Sequence, residues 1–188
     1  YYDELALIRA GVINLQEYLQ MLSDKITKLK STLGHLKQSV ADSSFDAWIK
    51  FYKPDENSSN SRVSYYTKGM LAALCFDMML RHLTHDEVSL DDIMRSLWAR
   101  YQEGIEGVLE GEIDQLLYEK SDRSPLMAQW VEKALYTTED RPLEDALAFA
   151  GLTLDFDSNI ESASVTLGIT VGMVAQELVI LTVFDRSA

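Results

Sequence analysis

The chain has 188 residues, 47% of them hydrophobic and 25% charged, with a formal net charge of −13. This is the composition of a globular chain, not a disordered one, and its acidity argues against a nucleic-acid backbone or an anionic membrane as partner. The lone Cys75 sits in an apolar run and reads as a small buried thiol, which excludes a disulfide framework and leaves the compartment open.

The run Met70–Leu80 is too short to span a bilayer and is interrupted by Asp77. The chain opens at Tyr1 inside what reads as a helix, as expected for a piece of something longer whose targeting signal lies out of view.

The first two-thirds read as helices. Tyr1–Ala10 carries Leu5, Leu7 and Ile8 and stops at Gly11. Asn14 and Glu17 form a capping-box pattern for a long amphipathic helix, whose apolar positions Leu15, Tyr18, Leu19, Leu22, Ile26 and Leu29 follow the three-four spacing. Ser44–Ile49 is predicted as one short helix with two large aromatic anchors, Phe45 and Trp48. The polar stretch Lys53–Ser64 reads as a loop that offers nothing to a core. Tyr66–Leu83 is predicted as a central buried helix, apolar nearly all round, in which Asp77 requires a partner.

Ser89 and Asp92 cap the next helix, with Ile93, Leu97 and Trp98 as its inward stripe. Glu110–Lys120 and Pro125–Leu135 read as two more helices, and Pro142 opens a last short one that ends at Gly151. Beyond Gly151 the period changes. Leu152–Phe156, Val165–Val171 and Leu178–Phe184 alternate, carry β-branched residues and are predicted as strands. Three strands are too few to bury a sheet face alone, so the second domain reads as truncated.

The common catalytic patterns are absent: no HExxH, no paired-cysteine metal spacing, no G-x-S-x-G and no phosphate-binding glycine loop. His82 and His85 read as cations at a helix end, not as ligands. The acidic cluster Glu103, Glu106, Glu110, Glu112 and Asp114 lacks a calcium-loop spacing and reads as a solvated face. Tyr65 and Tyr66 stand before Lys68-Gly69 at the mouth of the central helix. Two readings fit them: half-buried aromatics at a helix entry, or a phenol whose ring is in the core and whose hydroxyl faces a cleft.

Three blocks carry a family resemblance: Ser44-Phe45-Asp46-Ala47-Trp48-Ile49-Lys50-Phe51-Tyr52, then Pro54-Asp55-Glu56-Asn57, then Val63-Ser64-Tyr65-Tyr66-Thr67-Lys68-Gly69. With Ser89–Met94 and Leu97-Trp98 they resemble the glycyl aminopeptidase family of zinc metallopeptidases (family sixty-one, of gluzincin type). The resemblance implies a mainly α fold: residues 1–151 as the C-terminal helical-bundle subdomain of a thermolysin-like catalytic domain, and 152–188 as a partial PDZ-like β segment. It also implies that the zinc ligands, two histidines of an HExxH and a later glutamate, precede Tyr1 together with the general base. The chain alone is then expected to hold no zinc and to hydrolyse no peptide, while the parent enzyme would use zinc to remove N-terminal glycine or other small residues from peptides.

By the same resemblance, Tyr66-Thr67-Lys68-Gly69 is similar to a Tyr-x-Lys-Gly pattern in which the tyrosine hydroxyl stabilises the tetrahedral intermediate. Lys68 and Gly69 would fix the helix entry, and Tyr65 and Arg62 would line the substrate cleft. Leu167-Gly168-Ile169 looks like a PDZ carboxylate-binding loop, and the strand after it would accept a peptide by β-augmentation. The alternative is a non-catalytic helical scaffold or peptide-binding module of the same fold.

Overall fold

A computed structural model describes residues 1–105, 107–139, 142–155 and 168–185. Helices fill most of it, and a two-stranded antiparallel sheet follows them at the C-terminal end, so the expected helical domain with a small β segment is what the chain forms. By packing the chain divides into two units, Tyr1–Lys68 with the described residues from Asp155 on, and Gly69–Leu154. Among the described residues no helix is long and apolar enough to cross a membrane.

In the first unit, α1 (Tyr2–Arg9) stops where Gly11 adopts φ +70°, a left-handed conformation that a β-carbon disfavours. α2 (Leu15–Lys30) starts at the predicted capping box: Glu17 N–H donates to Asn14 Oδ1 at 3.0 Å and Asn14 N–H to Glu17 Oε2 at 2.8 Å. Its stripe buries Leu22, Ile26 and Leu29, and Lys25 pairs with the buried Glu4 of α1. A 3₁₀ turn (Leu33–Leu36) and α3 (Val40–Phe45) follow, then the four-residue α4 (Ser58–Ser61).

Two expectations fail here. The helix predicted over 44–49 instead starts at a Ser39–Asp42 capping box and ends at Phe45, while 46–52 is a run of turns. Its supposed anchors face outward, Phe45 being 90% and Trp48 79% exposed. The polar stretch 53–64 also contributes to the interior, because Asn60 and Val63 are buried.

The second unit is built on the part of α5 (Tyr65–Leu83) from Gly69 on, in which Leu71, Cys75, Met79 and Leu80 are fully buried. Asp77 has the partners its burial demands: Oδ1 accepts from Leu90 N–H at 2.7 Å and Oδ2 from Arg81 Nε at 3.3 Å. α6 (Leu90–Gln102) buries Leu90 and Ile93, but Trp98 lies outside, stacked on Tyr101 at 5.5 Å. Positions 90, 93 and 97 share one face, and residue 98 is turned about 100° from 97, so it leaves the stripe. α7 (Glu112–Lys120), α8 (Pro125–Val131), a π-helical turn (Glu132–Tyr136) and α9 (Leu143–Phe149) complete the unit.

After Gly151 the described residues 152–155 form no strand, contrary to expectation, and Phe156 lies outside the described residues, as do 165–167 of the next predicted strand. The sheet is one hairpin of β1 (Ile169–Val174) and β2 (Glu177–Val183), closed by Ala175 and Gln176 at φ 51° and 70°. Pairing runs from Ile169↔Val183 to Val174↔Glu177 and slips at Thr170/Val171, where Leu181 lies over the bare Cα of Gly172.

Two stability measurements follow. Asp77→Ala should lower unfolding free energy by about 2–4 kcal/mol, since it strands the buried Leu90 amide and leaves Arg81 only its longer pairing with Asp86. A loss in urea denaturation below about 1 kcal/mol would show those bonds to be dispensable. The Asp92 carboxyl is held below its ordinary 3.8, first by the Ser89 amide and then by Arg95 and the Ser89 hydroxyl. Its contribution is full above that ordinary value and is lost as pH falls through the lowered one. Asp92→Asn should therefore flatten the acid limb of a stability-versus-pH curve; an unchanged limb would remove Asp92 from the account.

Candidate functional site

The start of α5 is fastened by a buried cation. Lys68 is 1% exposed, and its Nζ donates to the backbone oxygens of His35 at 2.9 Å and Gln38 at 2.5 Å. These carbonyls belong to the end of the 3₁₀ turn and the residues just after it, where backbone dipoles favour a positive charge. The same segment grips the strand of chain leading into α5. Val63 N–H donates to Gln38 Oε1 at 3.1 Å, and Val63 O accepts from Ser43 Oγ at 2.5 Å. Gly34 permits this approach, because a β-carbon there would lie 1.8 Å from Arg62 O.

Arg62 points its guanidinium into the preceding loop. It donates to Lys50 O at 2.5 Å and Lys53 O at 2.8 Å and pairs with Asp55. That clamp sets the position of Phe51 and Tyr52. Phe51 meets Tyr65 and Tyr66 edge-on at 5.4 and 6.0 Å, while the Tyr65 and Tyr66 rings stack at 4.2 Å. The Tyr52 hydroxyl lies 3.0 Å from those of both Tyr65 and Tyr66, and its ring is 5.2 Å from Trp48.

The three phenols are not equivalent. Hydrogen bonds from Tyr52, and then Tyr65, favour the Tyr66 phenolate and pull its pKa below the ordinary tyrosine value. The bond to Tyr52 chiefly, then that to Tyr66, holds the Tyr65 proton in place and pushes its pKa well above that value. Tyr66 is also the most open of the three, 59% exposed against 48% for Tyr52. An exposed, acidified phenol is suited to donating a strong hydrogen bond to a developing anion.

The residues expected to form a site fall in two places. Tyr65, Tyr66 and Arg62 gather around the loop 50–55, but Arg62 spends its donors on the protein itself. A groove of about 230 Å³ nearby is lined by Lys28, Leu29, Phe51, Arg62, Val63 and Thr67, among others, and by none of the three tyrosines. Gly168 and Ile169 open the hairpin; Gly168 is buried at φ +63° and its carbonyl accepts from Phe184 N–H at 2.7 Å. Leu167 lies outside the described residues. Sequence reasoning gave no role to Tyr52 or Asn60. Tyr52 is one of several aromatics between Phe45 and Tyr66, and nothing in its spacing singles it out. Among the described residues no group of three His, Cys, Asp or Glu side chains is placed to hold a metal ion.

Replacing the cation tests the fastening. Lys68→Met keeps the length of the side chain but leaves two buried carbonyls without their donor. It should cost about 2–4 kcal/mol of stability, and a variant as stable as the parent chain would show that the ammonium does not hold the helix entry.

Residues 1–72 match the family model described as M61 glycyl aminopeptidase. A solved crystal structure of an aminopeptidase N family protein from Idiomarina loihiensis matches with a TM-score of 0.83 and 30% identity, over 99% of this chain and 33% of that one. The chain thus spans about a third of the length of that relative. No curated protein matches. Both comparisons thus support the resemblance carried by Ser44–Gly69, that of an M61 family fragment.

Proposed function

We propose that the chain forms the helical part of a zinc-dependent aminopeptidase, in which Tyr66 stabilises the oxyanion formed as the peptide bond is hydrolysed. The observation that carries this reading is the placement of Tyr66: exposed, with its hydroxyl 3.0 Å from that of Tyr52, and mounted on a helix entry pinned by Lys68. Its peptidase lineage is supported by the M61 match and the aminopeptidase-like fold.

The zinc that the resemblance implies finds no three-ligand group among the described residues, so no step here runs through it. The chemistry assigned to this chain is that of the phenol. Tyr66 stays protonated and shortens its hydrogen bond as negative charge builds on the carbonyl oxygen, an interaction stronger in the transition state than in the ground state. The Tyr52 hydroxyl, 3.0 Å from the Tyr66 oxygen, supports the partial charge that this donation leaves there. The reading takes as substrate a peptide with a small N-terminal residue such as glycine. It takes the hairpin as part of a PDZ-like module, with Gly168 and Ile169 in the loop that receives a peptide carboxylate and β1 as the receiving edge.

In the longer enzyme that contains this chain, Tyr66→Phe should lower kcat about tenfold or more, with metal content unchanged. Equal turnover in the two proteins would remove Tyr66 from the reaction.

A further inference from the structure

The hairpin and the phenol cluster are joined by one buried side chain. Asn60 is 2% exposed, and both ends of its amide are used across the fold. Nδ2 donates to Val183 O at 2.7 Å, and Oδ1 accepts from Asp185 N–H at 2.9 Å. The side chain thus takes the place of a neighbouring strand at the end of β2, satisfying backbone groups there as a ladder partner would. Lys37 adds an ion pair to Asp185 at 2.7 Å. On the helical side Nδ2 also donates to Asn57 Oδ1 at 3.1 Å, which ties the amide into its own short helix.

Two residues further on stands Arg62, whose guanidinium holds Lys50 O, Lys53 O and Asp55. The loop so held carries Tyr52, and the Tyr52 hydroxyl touches both Tyr65 and Tyr66. From hairpin to phenols the path is therefore Val183 and Asp185, Asn60, Arg62, Tyr52. Each link is a hydrogen bond or a short stretch of chain. All of it lies within the unit that contains Tyr1–Lys68 and the C-terminal residues.

We propose that Asn60 is a positioning residue that registers the C-terminal hairpin to the tyrosine cluster, so that docking of the hairpin sets where the Tyr52 hydroxyl stands relative to Tyr66. Its consequence for catalysis rests on the proposed role of Tyr66, but the coupling itself does not.

The test uses the 188-residue chain itself, with no peptide hydrolysis, so it stands apart from the test of Tyr66 in turnover. Asn60→Ala should move the Tyr66 phenol titration upward by about half a pH unit or more, with helix content unchanged; Tyr66→Phe identifies the step, and Ser59→Ala should leave it in place. Coupling is reciprocal, so Tyr52→Phe, which keeps the ring, should speed hydrogen exchange of the Asp185 amide about threefold or more. A folded Asn60→Ala with the titration of the parent chain would overturn the proposal. So would Tyr52→Phe with Asp185 exchange unchanged, and that measurement decides the matter if Asn60→Ala does not fold.

Discussion

An ammonium group taken out of water costs on the order of several kcal/mol unless it is paired. Lys68 meets that demand with backbone oxygens as well as any charge around it, and this choice organises the first unit. Two carbonyls can converge on one Nζ only if the chain turns tightly between them, as the 3₁₀ turn at Leu33–Leu36 does. The turn in turn needs Gly34, so that the backbone of Arg62 can pass against it. Because Lys68 is two residues after Tyr66 on the same helix, whatever fixes the ammonium also fixes the phenol.

The hydroxyl triad divides its work unequally. Three equivalent phenols would compete for one another's protons and present no preferred donor. Here Tyr65 keeps its proton and Tyr66 is acidified, while Tyr52 reaches both from a separate loop. The most exposed member is thus the one whose hydrogen bond strengthens most when an anion approaches. The aromatic contacts matter for the same reason. Phe51 meets both rings edge-on, the orientation that aromatic quadrupoles favour.

Much of this was legible where a rule is local. The capping boxes at Asn14 and Ser89, the stop at Gly11 and the partner required by Asp77 each depend on a few neighbouring residues. Trp48 and Phe45 were misjudged because aromatic size signals burial without saying against what. Asn60 was hidden in a polar run, since composition reports the average of a stretch and not the one amide that turns inward. The full extent of the hairpin was missed because its turn residues, Ala175 and Gln176, carry none of the Gly, Asn or Pro chemistry that marks such turns. Tyr66 was singled out by family resemblance, whereas the role of Tyr52 lies in hydroxyl distances that no spacing encodes.

The Asn60 contacts span 123 and 125 positions of sequence. Closing so long a loop is slow rather than prohibitive, for each doubling of length adds only about 0.6 kcal/mol of entropy. An isolated two-stranded hairpin is marginal in water, and this one has two non-glycine residues in left-handed conformation at its tip. Among the described residues, its end is held from outside by Asn60 and Lys37. During synthesis the helical residues emerge first and can assemble on their own schedule, while the last fastening of the tyrosine loop waits until Val183 and Asp185 have been made. The site is thus completed by residues made well after the phenols, and a product stopped before them carries the phenols without their register.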